Sequence, residues 1–178
     1  RVPTLNTMIG PWWGKLRYGL EYILTRSGPL SLSVNQAGGF VRTSAERERP
    51  NMQLYYSPVS YTKAPKGKRP LMAPDPFPGF LIGIQHTRPT SRGHITLRSG
   101  DPFAAPMIFP NSLATVEDQV EMVEGCRVMR AIANAPAMRE IIEEEIMPGP
   151  ATQSDDEMLE DIRSRSSTVF HPVSTCRM

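Results

Sequence analysis

Eighteen prolines among 178 residues set the first limit on what this chain can fold into. Proline has no backbone N–H to donate and fixes φ, so helix interiors and central strands exclude it. At about twice the usual share, these residues confine regular structure to short stretches joined by loops and sheet-edge turns.

The stretches between the prolines carry the pattern. Pro11 to Arg26 reads as a helix, with Trp13, Leu16, Leu20, Ile23 and Leu24 on one face at helical spacing, stopped by Ser27-Gly28-Pro29. Its apolar face is expected to pack into the core. Gly38-Gly39 allows a bulge or close backbone approach, and Phe40-Val41 suits a short strand. Met52 to Tyr61 alternates Met52, Leu54 and Tyr56 and reads as a strand ended or bulged at Pro58. The Lys- and Pro-rich Thr62 to Pro78 reads as a solvated loop. Gly79 to Arg88 is the clearest strand: Phe80, Ile82, Ile84 and His86 point one way, Leu81, Gly83, Gln85 and Thr87 the other. Pro89 to Gly93 then turns the chain and His94 to Ser99 returns it, which predicts an antiparallel hairpin, followed by a short strand at Met107 to Phe109.

Helices dominate the remainder. Thr115 caps the longest, with Glu117 and Asp118 in the first turn, where they favour the positive end of the helix dipole. Val116, Val120, Val123, Cys126, Met129 and Ala133 recur at three and four and predict its buried face. Asn134-Ala135-Pro136 breaks the helix, and Ala137 to Ile142 resumes it. Glu140, Glu143, Glu144 and Glu145 read as a solvated acidic face. Ser154 with Glu157 forms a capping box that opens a helix through Arg165, burying Met158, Leu159 and Ile162. The expected fold class is α+β: one domain over residues 1–178, a mostly antiparallel sheet with helices packed on one face.

Several function classes drop out. A net charge of +2 gives no strong field for nucleic acid. No apolar run reaches membrane-spanning length, and the first residues lack a signal-peptide pattern. The start also lacks an initiator methionine, so the chain is expected to begin inside a longer one. Cys126 and Cys176 read as free thiols without metal-site spacing, and no metal is expected. Neither G-x-G-x-x-G nor a Walker-type loop occurs. Compartment is left open.

Chemistry concentrates in the last eleven residues, T-V-F-H-P-V-S-T-C-R-M. Pro172 holds His171 in extended backbone, away from helix, and small residues follow. From the residues alone this is a general base near neutral pH or an ordinary loop histidine. His86, ending an apolar strand face, is either a satisfied structural group or pocket lining. Tyr55, Tyr56, Tyr61 and Phe170 offer aromatic rings without a defined arrangement.

F-H-P-V-S-T-C-R-M resembles the H-P-x-G-T-x-x-M segment of the glucose–methanol–choline (GMC) family of flavin-dependent alcohol oxidoreductases. Pro3–Thr7, the Gly28–Thr43 run, Arg88–Pro102, Pro106–Leu113 and Pro148–Glu157 resemble other family segments in the same order. The resemblance implies a substrate-binding domain, an antiparallel sheet backed by helices and lying over an FAD held by an upstream Rossmann-like domain that this segment lacks. It also implies a small alcohol as substrate and His171 as acid/base. Within the resemblance Phe170 would wall the substrate pocket and Pro172, Val173, Ser174 and Thr175 would run close to the flavin; His86 and Tyr56 are added as pocket lining from the residues alone. A second active-site residue would lie beyond Met178, so the segment alone is expected to be inactive.

The match has departures. Ser174 stands where the family usually has glycine, and Asn35-Gln36 and Asn111-Ser112 replace commoner acidic and tyrosine-containing versions. A hydroxynitrile lyase of the same family, a non-catalytic small-ligand binding domain and a truncated remnant are the other readings. The alcohol, the electron acceptor (oxygen, quinone or other) and the oligomeric state are not fixed by these motifs.

Overall fold

The computed structural model describes residues 2–61, 74–168, 171 and 173–176. A short helix α1 (Leu5–Ile9) leads into α2 (Trp12–Thr25) and a single 3-10 turn at Pro29–Ser31. Strands β1 (Ala37–Val41), β2 (Met52–Ser57) and β3 (Leu81–His86) follow, then β4 (His94–Thr96) and β5 (Met107–Phe109). Helices α3 (Val116–Ala133), α4 (Pro136–Arg139) and α5 (Asp155–Arg165) complete the order. Among the described residues no helix is long and apolar enough to cross a membrane. The expected α+β class, with antiparallel strands backed by helices, is what forms.

β1, β2 and β3 make one antiparallel sheet in chain order. Its register aligns Gly39 with Leu54 and Ile84, and Val41 with Met52 and His86. Directly paired residues share a side, so Met52, Leu54, Ile84 and His86 face one way together. Helix α3 lies against that side. Gly125 makes the approach possible: a Cβ there would sit 2.9 Å from Ile84 Cδ1 and 3.5 Å from Met52 Cγ. On its far side α3 packs on α5, where Val123, Cys126, Met158 and Ile162 form the buried cluster. Burying a side chain such as Met158, only 1% exposed, contributes about 1.5–3 kcal/mol. The Ser154–Glu157 capping box forms as the sequence predicts.

The structure departs from the sequence-based expectations in four places. β3 and β4 do not form a hairpin: β3 pairs with β2, and β4 pairs with β5 in a separate two-stranded sheet. Helix α2 has the predicted extent, but its apolar stripe is bare, with Trp12 76% and Leu24 72% exposed, together with Trp13, Leu16, Leu20 and Ile23. Helix α3 buries Val123 and Cys126 as predicted, but its first two turns depart from the predicted face: Val116 and Val120 are exposed, whereas Asp118 and Glu121 are buried. Loop partners for both carboxylates, described below, explain that departure. Finally, Glu145 is not free in solvent. Arg130 grips it through Nε and Nη2, while Arg130 Nη1 and Nη2 also donate to the carbonyls of Thr152 and Gly149.

Asn6 ties the first helix to the sheet. It is 3% exposed, its Nδ2 donates to Ser60 Oγ at 2.8 Å and to the Phe77 carbonyl at 3.1 Å, and its Oδ1 accepts from Ser60 N–H at 3.0 Å. One amide thus joins α1 to both sides of the β2–β3 connection. Asn6→Ala would leave a buried backbone N–H and several acceptors unmet, at about 1–3 kcal/mol for such a group. A fall of that size in the unfolding free energy of the full-length protein is expected, read from the urea midpoint. An unchanged midpoint would mean that water replaces the amide without loss.

Candidate functional site

The site is built on the connection between β3 and β4, and Asp118 fixes that connection. From the first turn of α3, Asp118 Oδ1 accepts from Thr90 N–H at 2.7 Å and Thr90 Oγ1 at 2.8 Å, and Oδ2 accepts from Ser91 N–H at 3.0 Å. Ser91 Oγ in turn accepts from the N–H of Ala114, at 2.9 Å, ahead of the helix. Burial by itself would raise the Asp118 carboxyl. The hydrogen bonds from Ser91 and Thr90 outweigh it and hold the group far below its ordinary range.

Two residues further on, the chain meets the terminal segment. Gly93 N–H donates to the Ser174 carbonyl at 3.0 Å, and Arg92 Nη1 reaches Ser174 Oγ at 3.3 Å. Only glycine fits at 93, because a Cβ would lie 2.1 Å from the Phe109 carbonyl oxygen. Asn111 Nδ2 closes the other side on the Arg92 carbonyl at 2.9 Å. Ser174 has a φ of 71°, the left-handed region that disfavours a residue with a Cβ. That backbone explains why glycine suits the position in the resembling family motif. Ser174 and Thr175 are half-buried, and Val173 and His171 are exposed. Phe170 and Pro172 lie outside the described residues.

His86 and Tyr56 sit on the side of the sheet that faces α3. The His86 Nε2 atom is 3.6 Å from Glu121 Oε2, and Glu121 Oε1 pairs with Arg47 Nη1 at 2.7 Å. Burial pushes the imidazole below its ordinary value, against the pull of Asp118 and Glu121. Tyr56 stacks obliquely on Phe80, with ring centroids 5.2 Å apart, and burial raises its phenol. It borders an apolar groove of about 450 Å³ with Leu54, Ile82, Ile132, Met138 and Ile141.

The opposite side of the same sheet has different chemistry. There the register brings together Phe40, Gln53 and Gln85 in one row, and Gly38, Tyr55 and Gly83 in the next. Gln85 Nε2 donates to Gln53 Oε1 at 2.9 Å. The Tyr55 ring lies over Gly83, where a Cβ would be 2.1 Å from its Cζ. Strand alternation already separates these side chains from Tyr56 and His86, but nothing in the sequence says which side a helix covers. Among the described residues no group of three or more His, Cys, Asp or Glu is arranged to hold a metal ion.

Residues 89–178, which contain the Thr90–Gly93 connection, α3 and the terminal segment, match the family model described as GMC oxidoreductase. The chain belongs to the GMC oxidoreductase family. It is 44% identical over 158 residues to an alcohol dehydrogenase [acceptor] of Pseudomonas putida, covering 89% of this chain and 28% of that protein. Oxygen-dependent choline dehydrogenases are also similar: that of Klebsiella pneumoniae at 35% identity, over 94% of this chain and 29% of the relative. That of Staphylococcus xylosus is 33% identical over 99% of this chain and 30% of the relative. The chain therefore spans under a third of the length of these GMC relatives.

Proposed function

We propose that this chain is the substrate-binding part of an FAD-dependent oxidoreductase that oxidises a primary alcohol to an aldehyde, with His171 as the acid/base. The observation that carries the reading is the anchored terminal segment: His171 is exposed, three residues before a Ser174 that Arg92 and Gly93 pin to the β4–β5 sheet. An exposed imidazole on a backbone fixed at its far end is what taking a hydroxyl proton requires.

The segment also suits a flat cofactor. Val173, Ser174 and Thr175 carry small side chains, and the left-handed turn at Ser174 presents backbone instead of bulk. Pro172 to Thr175 would lie beside the flavin, and Phe170 beside the substrate. A bound flavin supplies the two-electron acceptor that no side chain provides. The chain's own part is to hold the alcohol, exclude water and remove its proton at His171 Nδ1 or Nε2.

Most of the FAD contacts would come from a Rossmann-like domain elsewhere in the same polypeptide. The bare stripe of Trp12, Trp13, Leu16, Leu20, Ile23 and Leu24 supports this, because isolated domains seldom expose so much contiguous apolar surface. The same stripe supports the reading that this segment is inactive by itself.

The test is anaerobic mixing of the full-length protein with primary alcohols while its flavin absorbance is followed. Bleaching by at least one alcohol, with aldehyde formed, is the expected result. Cyanohydrin cleavage without bleaching would replace this reading with a lyase, and no flavin bound at all would remove it.

A further inference from the structure

The guanidinium of Arg92 gathers the backbone around it. Its Nη1 donates to the carbonyls of Pro89 at 2.9 Å, Thr90 at 3.0 Å and Ser91 at 3.0 Å, and to Ser174 Oγ at 3.3 Å. One such nitrogen carries two hydrogens, so the four acceptors share them. The side chain thus folds back over its own three predecessors and also reaches the terminal segment.

Asp118 stiffens this arrangement from the other side. The peptide between Pro89 and Thr90 offers its carbonyl to Arg92 and its N–H to Asp118 Oδ1, at 2.7 Å. The next peptide, between Thr90 and Ser91, repeats the pattern, with its N–H on Asp118 Oδ2 at 3.0 Å. Both peptides are trans, so their C=O and N–H groups point opposite ways. A carboxylate and a guanidinium therefore stand across two successive peptides, each at the end of the dipole that favours it.

Arg92 and its neighbour hold Ser174 twice, by its hydroxyl and, through Gly93 N–H at 3.0 Å, by its carbonyl. Ser174 needs holding. Its φ of 71° lies in the left-handed region, which a residue with a Cβ keeps only when its surroundings fix it. A glycine there would relieve the backbone but would offer Arg92 no hydroxyl. Between Ser174 and His171 stand Pro172 and Val173. Proline fixes one of the intervening torsions and restricts the residue before it, which is His171 itself. Few free torsions separate the held serine from the imidazole.

We propose that Arg92 is a positioning residue for His171: its guanidinium, set by the Asp118-bound peptides, holds Ser174 and through it the segment that presents the imidazole. In this role Arg92 touches neither reactant. Its consequence for turnover rests on the acid/base reading of His171 given above.

Two measurements on the full-length protein test it, each with Arg92→Ala and Arg92→Lys. All four contacts come from a single nitrogen, so the point-like ammonium of lysine, folded back over the same carbonyls, can replace it. The first measurement is hydrogen–deuterium exchange, read on peptides covering Gly93 and residues 173–176. Arg92→Ala is expected to speed exchange in both by at least about tenfold, with peptides of α5 unchanged. Arg92→Lys should stay within about threefold of the wild type. The second is steady-state oxidation of benzyl alcohol and 1-hexanol. In Arg92→Ala kcat should fall about 10- to 100-fold with KM little changed, because a displaced base is missed most in the transition state. Arg92→Lys should recover most of that loss. A role confined to stability would lower the melting temperature without separating kcat from KM.

Unchanged exchange at Gly93 and 173–176 in Arg92→Ala overturns the proposal. So does faster exchange that extends to α5, since Arg92 would then only stabilise the fold. Wild-type kcat in Arg92→Ala, in an enzyme that His171→Ala slows, overturns it too. If His171→Ala leaves kcat unchanged, or no primary alcohol reduces the flavin, the acid/base reading fails instead, and the exchange data still decide whether Arg92 holds the segment.

Discussion

Replacing His171 with alanine in the full-length protein is expected to lower kcat for alcohol oxidation by about 10²- to 10⁴-fold, with KM little changed. The size is that of a lost general base, which acts in the transition state more than in the bound ground state. The exposed imidazole makes no hydrogen bond with the described residues, so its removal should leave the fold intact. Steady-state kinetics with the best alcohol, beside a thermal melt of both proteins, separates the cases. A variant with wild-type kcat and an unchanged melt would show that the proton leaves by another group. Equal falls in kcat and in melting temperature would make His171 a packing residue.

Asp118→Ala carries the largest expected effect on stability, about 3–5 kcal/mol in unfolding free energy. Three accepted hydrogen bonds are lost together, two of them from backbone N–H groups with nowhere else to turn. The same residue predicts a pH dependence. Its folded-state carboxyl is held below the ordinary 3.8, so its contribution is fully present above that value. As the pH falls the unfolded chain takes up the proton first, and the stabilisation is lost progressively. Urea midpoints at pH 6 and pH 3 should therefore fall more steeply for the wild type than for Asp118→Ala. Parallel slopes would mean that the carboxylate is not what the loop rests on.

Why was some of this legible in the sequence and some not? Local rules held where the partners are local. The alternation of Met52, Leu54 and Tyr56, the Thr115 cap and the Ser154–Glu157 box all involve neighbours within a few residues, and all formed. The predicted β3–β4 hairpin failed because the link between those strands is held by Asp118 and, through Gly93, by Ser174, both far along the chain. Those contacts lead β4 away from the edge of β3 and into pairing with β5. The first turns of helix α3 depart from the predicted face for a similar reason, while Val123 and Cys126 are buried as predicted. Aspartate and glutamate at 118 and 121 look like surface residues until Thr90, Ser91 and Arg47 arrive to meet them. For α2 the periodicity was right about which residues share a face, but a period carries no information about what covers that face. In the candidate site, the terminal motif marked His171 from sequence alone. Gln53 and Gln85 escaped notice because uncharged side chains on a strand carry no signal until the covered side is known, and Tyr55 stood out only as one ring among four without an arrangement.

The pinning of Ser174 to Arg92 and Gly93 also sets an order of events as the chain folds. That contact spans 82 residues, against 28 between Thr90 and Asp118. Closing the larger loop costs more entropy and repays it with fewer bonds. The Thr90–Asp118 clip is therefore expected to form while the chain behind it is still being made. His171, near the far end, finds its place only when the hairpin is already waiting to receive Ser174. A polypeptide cut short before that serine would keep the sheet and the helices and lose the fixed position of the one imidazole on which the proposed chemistry depends.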